Sequence, residues 1–418
     1  MPRPPSFPPI ARRRRAVLAS AALAASLGLA PAFAATPDPA PTAGSIHALF
    51  LQALERDPTQ QALGARLAAA DASQNHADGL FPVPPRVQAY NLTDRVARNR
   101  GWQEAEVQLA LPIWLPGESG ALARKADAER QVASSTAQRQ ALTVAGAVRA
   151  AAWDLALARR LEALAQDRLN LAMRLEADME REVARGGAAR LDLSLLQAER
   201  ANAAANLEAR RGVTALAREA LTALTDNGDI AGDLAETGAE EATGSDPRLE
   251  AARAGERLAQ ETASVSRVAD REHPEVGVIY RHNRDTFGGP PSDYVGLQVT
   301  VPFSGPSYTA RTRTAEADLR QATAERVMVE RTVTAGARQA QAALTHARAQ
   351  LAAETQRQAA AADRAGKMQR ARALGEAATS EMVRAQQSLN DANTALAEAE
   401  VRLGRAQSDL LQARGVLP

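Results

Sequence analysis

The chain has 418 residues, enough for two or three ordinary domains, yet aromatic residues make up only 3% of it. So few aromatics argue against a compact globular core, and the alanine- and arginine-rich remainder suits long packed helices. The formal charge is a near-neutral +1, and the absence of cysteine excludes disulfides, thiol catalysis, cysteine-based metal sites and a lipid-bearing N-terminal cysteine.

Residues 1–34 predict a cleavable signal peptide. Arg12 to Arg15 form a positive region, Ala16 to Ala30 an apolar one, and Ala32-Phe33-Ala34 a small-x-small cleavage site. Its removal takes away five arginines and no acid, so the formal charge falls from +1 to −4. A mildly acidic mature chain argues against nucleic acid as a partner. No later segment reads as long and apolar enough for a transmembrane helix. Spanning a membrane would then fall to strands, since a closed barrel is the only other spanning structure.

The mature chain reads as one unit written twice, at 35–230 and 246–418, with a Gly/Glu-rich linker at 231–245. Asp57-Pro58 returns as Asp246-Pro247, Pro85-Arg86-Val87 as Pro274-Glu275-Val276, and Thr143-Val144 as Thr332-Val333, all at a spacing of 189. Gly186, Asp192 and Gln197 return as Gly375, Glu381 and Gln386 at the same spacing, and Pro112 returns as Pro302 with a slip of one residue. Such periodicity is settled before a fold is assigned.

Each copy opens on Asp-Pro, a helix-start signal, and predicts a helix over 59–80 and again over 248–271. Prolines end it. A hairpin follows, at about 86–113 and about 275–303. In the first, Ala105, Val107, Leu109 and Leu111 alternate with Glu104, Glu106, Gln108 and Ala110. In the second, Val295, Leu297, Val299 and Val301 alternate with Tyr294, Gly296, Gln298 and Thr300. Period-two alternation puts one set on an apolar face and the other on a polar face. Taken alone, the pattern also fits two solvent-washed hairpins on a soluble protein.

Two proline-free tracts come next, predicted helical over 118–184 and 307–373. At about 1.5 Å per residue each extends roughly 100 Å. Glycine marks a turn, at Gly186-Gly187 and at Gly375, and return helices are predicted over 191–224 and 380–413. Helices this long need lateral partners, and the small seam residues Ala147, Val148, Ala151, Leu155 and Ala158 permit close coiled-coil-like packing. A bundle-forming scaffold fits the helices but leaves the hairpins unexplained. Two hairpins give four strands, and a barrel needs about eight, so strands that span lipid require several chains to share one barrel.

The order of these elements, in duplicate, resembles the TolC family of outer-membrane efflux proteins over essentially the whole mature chain. The residues that carry the resemblance are Leu109-Ala110-Leu111-Pro112-Ile113 with Pro116-Gly117, and Val299-Thr300-Val301-Pro302-Phe303 with Gly305. At the turns they are Gly186, Asp192, Leu193 and Gln197, and Gly375, Glu381, Met382 and Gln386. The length is most similar to the compact members that serve heavy-metal export pumps.

The resemblance implies a mainly α protein with membrane β: long antiparallel coiled helices and two hairpins per chain. A homotrimer would share a twelve-stranded barrel in outer-membrane lipid, above an α-helical tunnel through the periplasm. It also implies a periplasmic adaptor (membrane fusion) protein and an inner-membrane pump of RND type as partners, with the channel itself passive. Asp192 and Glu381 would line the lower aperture, where an acid ring favours cations. Arg384 departs from the family's second acid and is expected to pair with an acid of a neighbouring helix. Gly186, Gly187, Leu374, Gly375 and Glu376 would meet the adaptor.

No catalytic triad, phosphate-binding glycine loop or dinucleotide fingerprint is present, so no catalytic residue and no cofactor is expected. The histidines (His47, His76, His273, His282 and His346) show no metal-ligand spacing, and His273 and His282 read as surface residues. Two other readings stay open: an exit duct for type I secretion, and a periplasmic coiled-coil adaptor or scaffold.

Overall fold

The computed structural model describes residues 44–231, 234–236 and 245–418, and the expected signal peptide lies outside them. The elements run α1 (Ile46–Glu55), α2 (Pro58–Ala77), β1 (Arg86–Thr93), β2 (Gln103–Pro112), α3 (Glu118–Ala184) and α4 (Arg190–Thr225). They continue as α5 (Pro247–Val268), β3 (Glu275–Arg284), β4 (Ser292–Thr300), α6 (Pro306–Ala373) and α7 (Thr379–Ala413).

The two Asp-Pro signals act as read. Asp57 accepts the Thr59 amide at 2.6 Å and Asp246 accepts the Arg248 amide at 2.8 Å, each with proline at the first helical position. The twin tracts form α3, of 67 residues, and α6, of 68. Helix α1 is an addition. Its signal was Ser45, which caps it, followed by Ile46, Leu49, Phe50 and Ala53 at helical spacing.

Helix α3 is the hub. It packs on α4, α5, α2, α7 and α1, and its buried seam is mostly alanine. Among the described residues helix α6 packs mainly on α7 and α5, touches α3 near the turn through Arg372, and buries Ala315, Leu344, Ala347 and Ala365. Two helices of nearly equal length therefore differ in how much of their surface this one chain covers.

One expectation needs correction. A stretch of α3 does meet the length and composition of a membrane span. Its apolarity has another cause: Val148, Ala152 and Leu155 sit in a core with Ile46, Leu49 and Ala53 of α1, Leu221 of α4 and Leu234. Residues of the linker also take part in this packing. Leu234 is buried in that core, and Glu236 receives Arg149 of α3 at 2.6 Å. Arg149 is only 1% exposed; it also donates to Gln412 of α7 at 2.6 Å, while Ser408 of α7 donates to Glu236 at 2.7 Å. Removing one partner of such a buried pair strands the other charge, at a cost of about 3–5 kcal/mol. Sequence reading missed this lock because Glu236 lies in an acidic, glycine-rich stretch without periodicity.

Candidate functional site

The four strands form one antiparallel sheet in the order β1-β2-β3-β4, so the two hairpins are joined along β2 and β3. Among the described residues its outer strands, β1 and β4, each keep one edge without a partner. Register sorts the side chains into two faces. Val87, Leu109, Val278 and Leu297 share one row, and Ala89, Val107, Tyr280 and Val295 the next. This face is apolar and open: Leu297 is 81% exposed, and Val87, Val295 and Val299 are exposed beside it.

The opposite face is polar and internally bonded. Arg281 donates to Glu106 at 2.7 Å and lies 3.3 Å from Glu104, which accepts the Tyr90 hydroxyl at 3.3 Å. Glu106 is only 6% exposed. Gln108 donates to Gln298 at 2.8 Å across the β3 strand between them. That reach passes over Gly277, where a Cβ would stand 3.1 Å from the Leu109 carbonyl and 3.4 Å from the Gln108 amide nitrogen. A water-soluble sheet buries its apolar face and wets its polar one; here, among the described residues, no helix packs across the sheet, so the apolar face stays as open as the polar one.

At the sheet's base His273 is half-buried rather than a free surface residue. Its Nε2 lies 2.9 Å from Glu118, the buried first residue of α3, and Trp114 contacts the rings of both His273 and His76. His282 lies 2.7 Å from Asp293, its register partner. Among the described residues no group of three or more His, Asp or Glu is placed to hold a metal.

The helical turns lie between α3 and α4 and between α6 and α7. Both close the same way. Gly186 and Gly375 take φ of +77° and +78°, a left-handed conformation that glycine adopts without a Cβ penalty. The Gly187 amide donates back to Glu182 at 2.9 Å, and the Glu376 amide to Ala371 at 2.8 Å. Gly186, Gly187, Leu374, Gly375 and Glu376 are all exposed, and a Cβ at Gly186 or Gly375 would meet nothing. Asp192 and Glu381 fall in the first turns of α4 and α7, whose N-caps, Ala189 and Ala378, offer no side-chain acceptor. An acid there also favours the positive helix end.

The motif's apolar position is a core position: Met382 is buried with Met179, Leu196 and Val383, and Leu193 packs against them. Asp192 is half-buried and Glu381 and Arg384 are exposed; among the described residues none of the three side chains has a hydrogen-bond or ion-pair partner. Sequence reading missed Arg372, which joins the two turns. It donates to Glu182 of α3 at 2.9 Å and to Thr379 of α7 at 3.1 Å. It missed Leu191 and Leu195 as well, one turn apart and both exposed beside the first turn.

No protein-family model matches the chain, and no curated protein matches it by sequence. Solved structures do match it in fold. The outer membrane protein VceC of Vibrio cholerae superposes with a TM-score of 0.70 at 17% identity, over 89% of this chain and 96% of that one. The Campylobacter jejuni outer membrane channel CmeC gives 0.69 at 13% identity, over 88% and 85%. A membrane protein of Pseudomonas aeruginosa gives 0.69 at 20% identity, over 89% and 90%.

Proposed function

We propose that this chain, which has the fold of outer-membrane channels, is one protomer of a TolC-family outer-membrane duct. The observation that carries the reading is a sheet whose apolar face no helix covers, with two open edges, at the base of two helices of roughly 100 Å. Lipid is the solvent that an exposed apolar sheet face suits, and open strand edges are not tolerated in it. The edges are therefore closed by further copies. Three chains of four strands make a barrel whose polar face, with Glu104, Glu106, Arg281 and Gln298, lines a water-filled lumen.

The uncovered side of α6 supports the same reading. Within the chain, α3 is covered by the next repeat's α5 as well as by its own α2 and α4. In a ring of copies α6 meets the following chain's α2 as α3 meets α5. The helices then form a periplasmic tunnel ending at the Gly186 and Gly375 turns. Those turns, with Gly187, Leu374 and Glu376, dock an adaptor, and Asp192, Glu381 and Arg384 surround the aperture. The duct is passive. It serves as the exit of a tripartite efflux system whose inner-membrane pump, of RND type, selects the cargo, a small molecule or a metal ion.

The test is membrane fractionation followed by electrophoresis of crosslinked sample, unboiled and boiled. The expected result is a detergent-extracted outer-membrane species at three times the chain mass that collapses on boiling. A soluble periplasmic species would overturn the reading and leave a coiled-coil scaffold.

A further inference from the structure

The apolar sheet face changes character along the strands in a fixed order. Beyond the Val87-Leu109-Val278-Leu297 row and the Ala89-Val107-Tyr280-Val295 row comes Asn91-Ala105-His282-Asp293, and then Thr93-Gln103-Arg284. Each row lies about 7 Å further along, two residues of strand. The face thus runs from aliphatic, through a row holding a tyrosine, to a polar row ending in arginine. Arg95 lies in the turn that follows Thr93.

The loops at this end carry Arg98 and Arg100 and contact each other, the Phe287 amide donating to the Arg100 carbonyl at 3.1 Å. Arg95, Arg98, Arg100 and Arg284 are all exposed, and among the described residues none of their guanidinium groups has a hydrogen-bond or ion-pair partner. The acids nearby form no ion pair with them among the described residues. Asp94 receives the Arg100 backbone amide at 2.7 Å, and Asp293 receives Tyr280 at 2.9 Å and faces His282 at 2.7 Å. Asp285 alone remains as an exposed acid without a side-chain partner. Between the arginines stand exposed apolar groups, Val96 at 98% and Phe287 at 64%.

We infer that this arginine collar binds the phosphate groups of lipid headgroups in the leaflet that surrounds the outward end of the sheet. The inference rests on the membrane reading above. Guanidinium forks match phosphate oxygens in bidentate geometry, and the charge-assisted contacts are about twice as strong as neutral ones. Arg284 ends the lipid-facing column of β3 and Arg95 lies in the turn just past β1, so both stand at the end of the sheet where headgroups begin. Val96 and Phe287 supply the apolar contact that free phosphate in solution would not use.

The experiment uses the full-length oligomer purified in detergent and native mass spectrometry of retained lipid. A phosphorylated glycolipid, the same glycolipid with its phosphates removed, and inorganic phosphate are supplied separately. The phosphorylated lipid is expected to be retained and to raise the temperature at which the unboiled oligomer dissociates. The double variant Arg95→Gln/Arg284→Gln is expected to retain it about tenfold more weakly, and Arg98→Gln/Arg100→Gln to weaken it in the same direction. Arg320→Gln, an exposed position on α6, should leave retention unchanged. Equal retention of the phosphate-free lipid, unchanged retention by both double variants, or full competition by inorganic phosphate would each overturn the inference. If any of these appears while the heat-sensitive oligomer forms normally, the collar fails and the channel reading stands. If no oligomer forms, the channel reading itself fails.

Discussion

Asp57 holds the start of α2 with both carboxylate oxygens, one on the Thr59 amide and the other on Gln140 of α3 at 2.7 Å. Burial pushes its pKa up, but the Gln140 and Thr59 hydrogen bonds outweigh burial and hold the carboxyl below the usual aspartate range. A depressed pKa means stability that is complete above about pH 4, where an unfolded aspartate is ionised, and that is lost as pH falls through the folded value. Asp57→Ala is expected to cost about 1 kcal/mol at neutral pH through the lost cap. It should also flatten the acid limb of a thermal-melt series below about pH 4, which checks the charge apart from the cap. Arg384 belongs to the same scale. Exposed and without a side-chain partner among the described residues, it is expected to bind an acid of a neighbouring chain and hold the aperture closed, so Arg384→Ala should raise single-channel conductance at rest. Unchanged conductance would remove it from the gate.

Elements acquire their roles from which face they leave uncovered. The sheet's faces give opposite predictions for neighbouring residues of β4. Leu297→Arg places a charge among exposed aliphatic side chains, and near the centre of a bilayer that costs about 2–4 kcal/mol. Gln298→Arg places the same charge on the polar face. The first is expected to deplete heat-sensitive oligomer from the outer membrane, and the second to leave its amount unchanged while altering ion selectivity. Equal depletion by both would mean that the faces are not solvated differently. Helices obey the same logic. Both α3 and α6 are built of alanine, arginine and acids, yet α3 is the hub because five other helices reach it within one chain.

For the whole molecule, the internal repeat supplies a template for assembly. β2 pairs with β3 so that Ala110 faces Gly277. Carrying β2 forward by the 190-residue spacing of Pro112 and Pro302, and β3 back by the 189-residue spacing, gives the joint between β4 of one copy and β1 of the next. It places Thr300 opposite Gln88. Because the chain has no cysteine, Thr300→Cys/Gln88→Cys offers a clean reading: oxidation is expected to give a covalent ladder ending at three chain masses. Either single variant should give no ladder, and a double variant that stays monomeric would rule out this register.

Local chemistry wrote much of this architecture into the chain. Asp-Pro starts, period-two strands, proline-free helical tracts and left-handed glycine turns are properties of a few neighbouring residues, and their return at one spacing exposed the repeat. The sequence pattern therefore placed four strands and six of the seven helices, as well as the turns that hold Gly186 and Gly375. What it left undecided was which surfaces are covered. That His273 docks on Glu118, that Glu236 locks onto Arg149, that Arg372 joins the two turns and that the apolar sheet face stays open depend on residues far apart in the chain. Alternation says that a strand has two faces; only the packing around it says whether either is covered, and here the apolar one is left open.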